Sequence, residues 1–329
     1  MIKQIIYVMS STYSGSTILS AILGSSPNAY FVGEPALIFR RNASGRWRHQ
    51  IFCTACKLDP ADTECPIWGR PVIHAVRARP ELYFDILNRR VPEGSTRLVD
   101  SSKNLRWIDS GLCHTVETCV LHITKPVEAF LASLVNREKA RFNLGYCAQH
   151  WSDENLRIVD YCRARRIKYL HVDYNQFARN PDETLFDVEN WSGSGPISRQ
   201  AEWTDPPHYI KGNPGTATHF TSVEHTEELE GMNSELYRAG HRRIFLDEKW
   251  RTLINAGQVK ALYNLRCVRA ASDVFGYRCP DLNRSSELAS ASSLPLAVGA
   301  TAYRLSRPHS RWKRRREFER LPNRATLSE

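Results

Sequence analysis

A hydroxyl-rich stretch, Ser10-Ser11-Thr12-Tyr13-Ser14-Gly15-Ser16-Thr17, separates the apolar runs Ile5-Ile6-Tyr7-Val8-Met9 and Ile18-Leu19-Ser20-Ala21-Ile22-Leu23. The pattern predicts a buried strand, a tight loop and a helix. Such a junction directs unpaired backbone N–H groups and the positive end of a helix dipole at one point, which suits phosphate or sulfate. Gly15 permits close backbone approach, and Ser14, Ser16 and Thr17 add hydroxyl donors. A nucleotide-hydrolysing P-loop requires GxxxxGK[ST], with a lysine on the phosphates and a hydroxyl on magnesium. Here the loop holds one glycine, and no lysine precedes Ser16 or Thr17.

Three further polar groups stand at the ends of short apolar runs. Asn28-Ala29-Tyr30-Phe31-Val32-Gly33-Glu34-Pro35 reads as a strand closed by a carboxylate, and Arg97-Leu98-Val99-Asp100 as a strand closed by Ser101-Ser102-Lys103. Thr118-Cys119-Val120-Leu121-His122-Ile123 leads to Lys125, which opens a helix carrying Ser133. In a parallel α/β sheet the ligand lies beyond the carboxyl ends of the strands. Two cations, several hydroxyls and one carboxylate then meet around the anion.

The elements that must position these groups alternate between strand and helix. Residues 71–90 read as helical, the pattern after Pro126 as a helix to about Arg141, and 147–166 as an amphipathic helix. Residues 167–172 return as a strand, and Asn180-Pro181-Asp182-Glu183 marks a helix start. A helical block from Leu246 to about Ser272 closes the folded region. This alternation predicts a central parallel sheet flanked by helices on both faces, a three-layer α/β sandwich.

Several of these segments resemble the sulfotransferases that use 3'-phosphoadenosine-5'-phosphosulfate (PAPS), in particular their bacterial branch. Residues Ser11 to Leu19 resemble the 5'-phosphosulfate loop, and Phe31-Val32-Gly33-Glu34 the next strand, whose glutamate is the base in several relatives. Leu98 to Lys103 resembles the strand–Ser/Thr–Lys element. Lys125 to Ser133 resembles the 3'-phosphate element, and Tyr209-Ile210-Lys211-Gly212-Asn213-Pro214 the loop that closes over the nucleotide. The likeness spans roughly residues 3–278. Two positions depart from the family pattern: Tyr13 stands where Lys or Arg is usual, and Lys125 replaces an arginine, keeping charge but losing the bidentate fork.

The resemblance implies a P-loop nucleotide-binding type of fold and transfer of a sulfuryl group from PAPS to an acceptor hydroxyl of a carbohydrate, glycolipid or small metabolite. It implies Glu34 as base and Lys103 as stabiliser of the leaving oxygen. Ser11, Thr12, Tyr13, Ser14, Gly15, Ser16 and Thr17 would hold the 5'-phosphosulfate, with Lys125, Ser133, Lys211, Gly212 and Asn213 toward the 3'-phosphate. A sulfuryl group carries less charge than a γ-phosphoryl group, so the expectation is that no metal is required. Other readings are a non-catalytic nucleotide-binding or membrane-surface protein on the same fold, and a P-loop kinase, disfavoured by the missing GxxxxGK[ST].

Cys53, Cys56 and Cys65 form a CxxC followed by a lone cysteine, with His49 four residues upstream. A second CxxC or a CxxH pair is absent, so the ligand spacing for zinc is incomplete. The expectation is a cysteine-bearing lid near the acceptor, within an insert at 36–75, and no metal site. His208 is a lesser candidate facing nucleotide or acceptor, and Asp173-Tyr174-Asn175 organises a loop near the pocket.

Of the net charge of +10, residues 301–329 carry +6 through nine Lys and Arg against three Glu. The body is only mildly basic, which argues for an anionic small ligand and against a specific nucleic-acid partner. The sequence divides into a sulfotransferase domain at 1–279 and a basic, disordered or peripheral tail at 280–329. Through Trp312 to Arg316 that tail offers a peripheral contact with the inner face of a membrane. No apolar run approaches the ~20 residues of a membrane span. Nine irregularly spaced cysteines do not form a secreted disulfide framework. A cytoplasmic protein is the expectation.

Overall fold

The computed structural model describes residues 1–39, 53, 55–56, 64–111, 116–138, 143–197, 207–210, 244 and 246–282. The strands β1 (Gln4–Met9), β2 (Ala29–Gly33), β3 (Arg97–Asp100), β4 (Glu117–Thr124) and β5 (Lys168–Asp173) form one sheet in the order β2-β3-β1-β4-β5. Every pairing is parallel. The helices are α1 (Ser16–Gly24), α2 (Arg70–Ala78), α3 (Tyr83–Asn88), α4 (Leu105–Gly111), α5 (Val127–Glu138), α6 (Leu144–Arg165), α7 (Tyr174–Arg179) and α8 (Pro181–Ser192). Three short helices follow at Trp250–Leu253, Ala256–Asn264 and Arg266–Phe275.

The sheet is covered on both faces because its strands are apolar at successive positions. Side chains alternate across a strand, so Ile5, Tyr7 and Met9 pack with Leu98, Val120 and residues of α2, α3, α4 and α6 on one face. Ile6 and Val8 pack with Val99, Leu121 and residues of α1, α7 and α8 on the other. Ile5, Ile6 and Val8 are each at least 99% removed from solvent, a burial that stabilises by about 1.5–3 kcal/mol per side chain. A separate apolar cluster joins α5 and α6 to the three C-terminal helices.

The chain leaves β1 for β2, returns to β3 beside β1, then crosses to β4 on the other side. The carboxyl end of β1 therefore lies where the winding reverses, the place at which open α/β sheets take ligands. The loop at 10–17 begins there.

Some boundaries differ from the sequence reading. The helix read at 71–90 is broken, because Pro80 cannot continue α2 and Arg79 adopts an extended φ of −140°. Helix α6 starts at Leu144, earlier than the apolar pattern suggests, because the Asn143 side chain accepts from the Tyr146 N–H and caps it. The block read from Leu246 to Ser272 is three helices. Asn255 and Gln258 form a capping box that starts the second, and the extended Leu265 separates it from the third. The basic tail beyond residue 282 and His49 lie outside the described residues.

Candidate active site at the carboxyl edge of the sheet

Helix α1 begins after Gly15, which has a φ of +83° and provides no side-chain cap. No side chain at the cap position therefore takes its first N–H groups, an arrangement common at anion-binding helix starts. A side chain at Gly15 would run into the ring of Tyr174, so glycine is needed both for the left-handed turn and for the space. Ser11 and Ser14 are buried and share a hydrogen bond of 2.9 Å between their hydroxyls. Ser16 and Thr17 are buried in the first turn, whereas Thr12 is exposed. Tyr13 has a φ of +65° and packs against the cluster of α5 and α6. The hydroxyl of Ser10 is buried without a hydrogen-bond partner at the end of β1.

Glu34 and Lys103 meet across the ends of β2 and β3. Their charged atoms are 3.5 Å apart, and each side chain is 19% exposed. The backbone of β3 is turned toward β2 by short-range bonds. Asp100 accepts from the Ser102 N–H at 2.8 Å, and both the N–H and the hydroxyl of Ser101 donate to the Gly33 carbonyl. Ser102 Oγ in turn accepts from the Ala36 N–H at 3.1 Å. Lys103 follows with a φ of +53°, a conformation that costs a non-glycine residue about 1 kcal/mol and persists only where its surroundings enforce it. Asp100, which anchors this turn, is pushed up to about 6 by burial and is held by the Trp107 indole N–H at 2.7 Å and the Tyr83 hydroxyl at 3.2 Å.

Lys125 follows β4 on the other side of β1. It is buried, with Nζ 4.1 Å from the centre of the Tyr174 ring and 3.9 Å from Asp247. Burial pushes its ammonium down to about 8, against the opposing pull of Asp247. Tyr174 therefore touches both Lys125 and the space beside Gly15, and joins the loop to the cation. Ser133 donates to the Ala129 carbonyl at 2.9 Å, so a phosphate would have to draw that proton away from the helix. Beside Lys125 opens a cavity of about 240 Å³ lined by Glu128, Asp173, Arg179, Asp247, Arg251 and Tyr277, among others. Two strand intervals of about 4.8 Å separate β3 from β4, so Lys103 and Lys125 flank the loop on strands about 10 Å apart.

The sheet places the loop, Glu34, Lys103 and Lys125 after the carboxyl ends of β1, β2, β3 and β4, along one edge. Lys211, Gly212 and Asn213 lie outside the described residues. His208, read from the sequence as facing nucleotide or acceptor, is placed elsewhere by the structure, and the contacts of Tyr174 with the space beside Gly15 and with Lys125 were not legible in the sequence.

The expectation of a chain that needs no metal, with no metal site, is corrected here. Cys53, Cys56, Cys65 and His208 place one ligand atom each within 4.8 Å of the others, a set able to hold a metal ion. His208 Nδ1 lies 3.5, 3.4 and 3.6 Å from the sulfurs of Cys53, Cys56 and Cys65. The sulfurs of Cys53 and Cys65 are 3.8 Å apart. His208 thus faces the cysteines, and completes a ligand set that the sequence left one short. It stands 143 residues beyond Cys65, out of reach of any spacing rule.

No family model matches the chain, and no curated protein matches it. Among solved structures, the sulfotransferase domain from the curacin biosynthetic pathway aligns with 85% of this chain and 99% of its own, at 13% identity and a TM-score of 0.51. Its fold is that of a sulfotransferase domain. The sulfotransferase domain of the Synechococcus PCC 7002 olefin synthase covers 85% of this chain and 98% of its own at 18% identity, with a TM-score of 0.45. Sulfotransferase STF1 from Mycobacterium tuberculosis H37Rv covers 73% and 77% at 16% identity, with a TM-score of 0.38. At 13% identity the likeness to the curacin-pathway domain establishes the fold alone.

Proposed function

We propose that this chain transfers a sulfuryl group from PAPS to an acceptor hydroxyl. The observation that carries the reading is the Glu34–Lys103 pair, 3.5 Å apart, at the same sheet edge as the uncapped start of α1. The loop from Ser11 to Thr17 takes the 5'-phosphosulfate, in the manner of phosphosulfate-binding loops on P-loop-type folds. Lys125, with Ser133 and the segment Lys211-Gly212-Asn213, takes the 3'-phosphate.

In the resting state Lys103 neutralises Glu34. When the donor binds, Lys103 turns to the oxygen that bridges phosphate and sulfur, and Glu34 is released to act as base. The acceptor oxygen attacks sulfur in line, Glu34 takes its proton, and the bond from sulfur to the phosphate oxygen breaks. Lys103 stabilises the charge that develops on that oxygen, the kind of contribution that dominates such transfers. The products are the sulfated acceptor and adenosine 3',5'-bisphosphate.

The reading assigns residues 1–279 to one catalytic domain, with the Cys-bearing insert at 36–75 covering the acceptor side and the basic tail outside it. The acceptor is a hydroxyl-bearing carbohydrate, glycolipid or small metabolite. Among the described residues, no helix is long and apolar enough to cross a membrane. A basic tail against anionic lipid would bring the enzyme to glycolipid acceptors at the cytoplasmic face.

Calorimetry with adenosine 3',5'-bisphosphate, followed by labelled PAPS with cell extract as acceptor source, tests the proposal. We expect saturable binding of the bisphosphate and label in a hydroxyl-bearing product. Binding of magnesium–ATP with no binding of the bisphosphate would sink it in favour of a kinase. Bisphosphate binding with label transfer to no acceptor would favour a non-catalytic nucleotide-binding protein.

A further inference from the structure

We infer that Cys53, Cys56, Cys65 and His208 bind one zinc ion in a closed tetrahedral site, and that this ion clamps the backbone of Glu34 to the segment 208–210. Zinc bonds of about 2.3 Å to sulfur and about 2.0–2.1 Å to nitrogen set tetrahedral edges of about 3.8 Å between sulfurs and about 3.6 Å between sulfur and nitrogen. The observed separations are 3.8 Å for Cys53 to Cys65, and 3.5, 3.4 and 3.6 Å from His208 Nδ1 to the three sulfurs. Three thiolates and one imidazole are soft and borderline donors, a set that takes zinc and excludes magnesium or calcium.

The ligands come with the outer support that metal sites require. The Trp68 N–H donates to Cys65 Sγ at 3.3 Å. The indole N–H of Trp68 donates to the His208 carbonyl at 2.8 Å, and the His208 N–H donates to the Tyr30 hydroxyl at 3.0 Å. These bonds fix the backbone on either side of the imidazole. Cys53 and Cys65 are buried, Cys56 and His208 half-buried. Four protein ligands fill a tetrahedron and leave no position for substrate or water, so the site is structural and takes no part in the chemistry.

Two residues beyond His208, Ile210 forms isolated β-bridges to Gly33 and Cys53, parallel with the first and antiparallel with the second. The Ile210 N–H donates to the Val32 carbonyl at 3.1 Å, and the Glu34 N–H donates to the Ile210 carbonyl at 3.0 Å. Gly33, with a φ of +77°, makes this approach feasible, since any side chain there would strike the Ile210 backbone. One ion thus joins the segment from Cys53 to Cys65 to His208, 143 residues beyond Cys65, and Ile210, which it secures, is bonded directly to Glu34. The importance of that clamp for catalysis rests on the proposed role of Glu34; the zinc site does not.

The test uses the full-length chain, purified without chelator from zinc-supplemented cells, and needs neither donor nor turnover. Elemental analysis should find about one zinc per chain, and cobalt in its place should give the intense visible bands of a tetrahedral thiolate site. His208→Cys should retain the zinc, while Cys53→Ser combined with Cys65→Ser should lose it. Stripping zinc from the wild-type chain should speed hydrogen exchange at the Glu34 and Ile210 amides by about tenfold or more, and leave Val99 in β3 unchanged. Wild-type protein with far less than stoichiometric metal and freely titrating thiols would overturn the site. Full zinc with exchange at Glu34 and Ile210 indifferent to its removal would overturn the clamp. Neither result bears on bisphosphate binding, so failure here is distinct from failure of the sulfotransferase reading.

Discussion

The two strand-end lysines sit in opposite environments. Lys103, after β3, is partly open to solvent, faces a carboxylate at 3.5 Å and is held in a left-handed conformation by the turn that Asp100 anchors. Lys125, after β4, is buried, lies against an aromatic ring at 4.1 Å, and has its charge opposed by desolvation. A cation paired with a carboxylate in a cleft can change partners during a reaction. A cation already stripped of water gains most from a fixed, highly charged anion, because the desolvation that opposes its charge is in place before the ligand arrives. On the proposed function, the first belongs at the sulfur and the second at the 3'-phosphate.

The contrast can be broken most severely at the carboxylate. Glu34→Gln should lower kcat by about 10²–10⁴-fold with little change in bisphosphate affinity, as expected for loss of a positioned base. Turnover within a few-fold of wild type would remove Glu34 from that role. Lys103→Met should follow, with a loss of about 10²–10³-fold in kcat, the range for removing one group that stabilises developing charge. A loss seen mainly as weaker donor binding would instead place Lys103 beside Lys125 in function.

Lys125→Met should act on the other side of the comparison. It should weaken adenosine 3',5'-bisphosphate by about 10–100-fold in calorimetry, equivalent to one charge-assisted bond of about 1.5–3 kcal/mol. Its effect on kcat at saturating donor should be smaller. Equal losses in binding for Lys103→Met and Lys125→Met would erase the distinction.

The smallest expected effect is a pH dependence. With its folded value at about 8 and its unfolded value at the higher ordinary one, Lys125 binds fewer protons in the folded chain than in the unfolded chain between the two. Stability from this residue therefore rises with pH across that window. Bisphosphate affinity should do the reverse. It requires the ammonium, so it should weaken from about pH 8 upward, by at most about tenfold per pH unit. Asp247, Lys249 and the Tyr174 ring act on the same ammonium and belong to the measured profile. Lys125→Arg, charged throughout, should flatten it; a slope retained in that variant would assign the dependence elsewhere.

Much of the edge was legible in the sequence because its signals are local. Apolar residues at every position of Ile5 to Met9 require burial on both faces, and hence a covered parallel sheet. The ends of such strands, and with them the loop, Glu34, Lys103 and Lys125, follow from the same pattern. The helix read at 71–90 failed at Pro80, where one missing N–H and a fixed φ outweigh a continuing apolar pattern. The block from 246 to 272 failed because a capping box at Asn255 starts a new helix within what periodicity reads as one.

By itself, then, the sequence determined the alternating strands and helices and the hydroxyl-rich loop at the end of β1, but from Cys53, Cys56 and Cys65 alone it led to a lid without a metal. The elements and the loop follow from side-chain period and from turn chemistry, which act between residues a few positions apart. Only the tertiary structure brought Glu34 against Lys103, set Tyr174 between Gly15 and Lys125, and delivered His208 to the cysteines. Those meetings depend on strand order and on backbone bonds such as that from Glu34 to Ile210. No interaction between near neighbours in sequence encodes them.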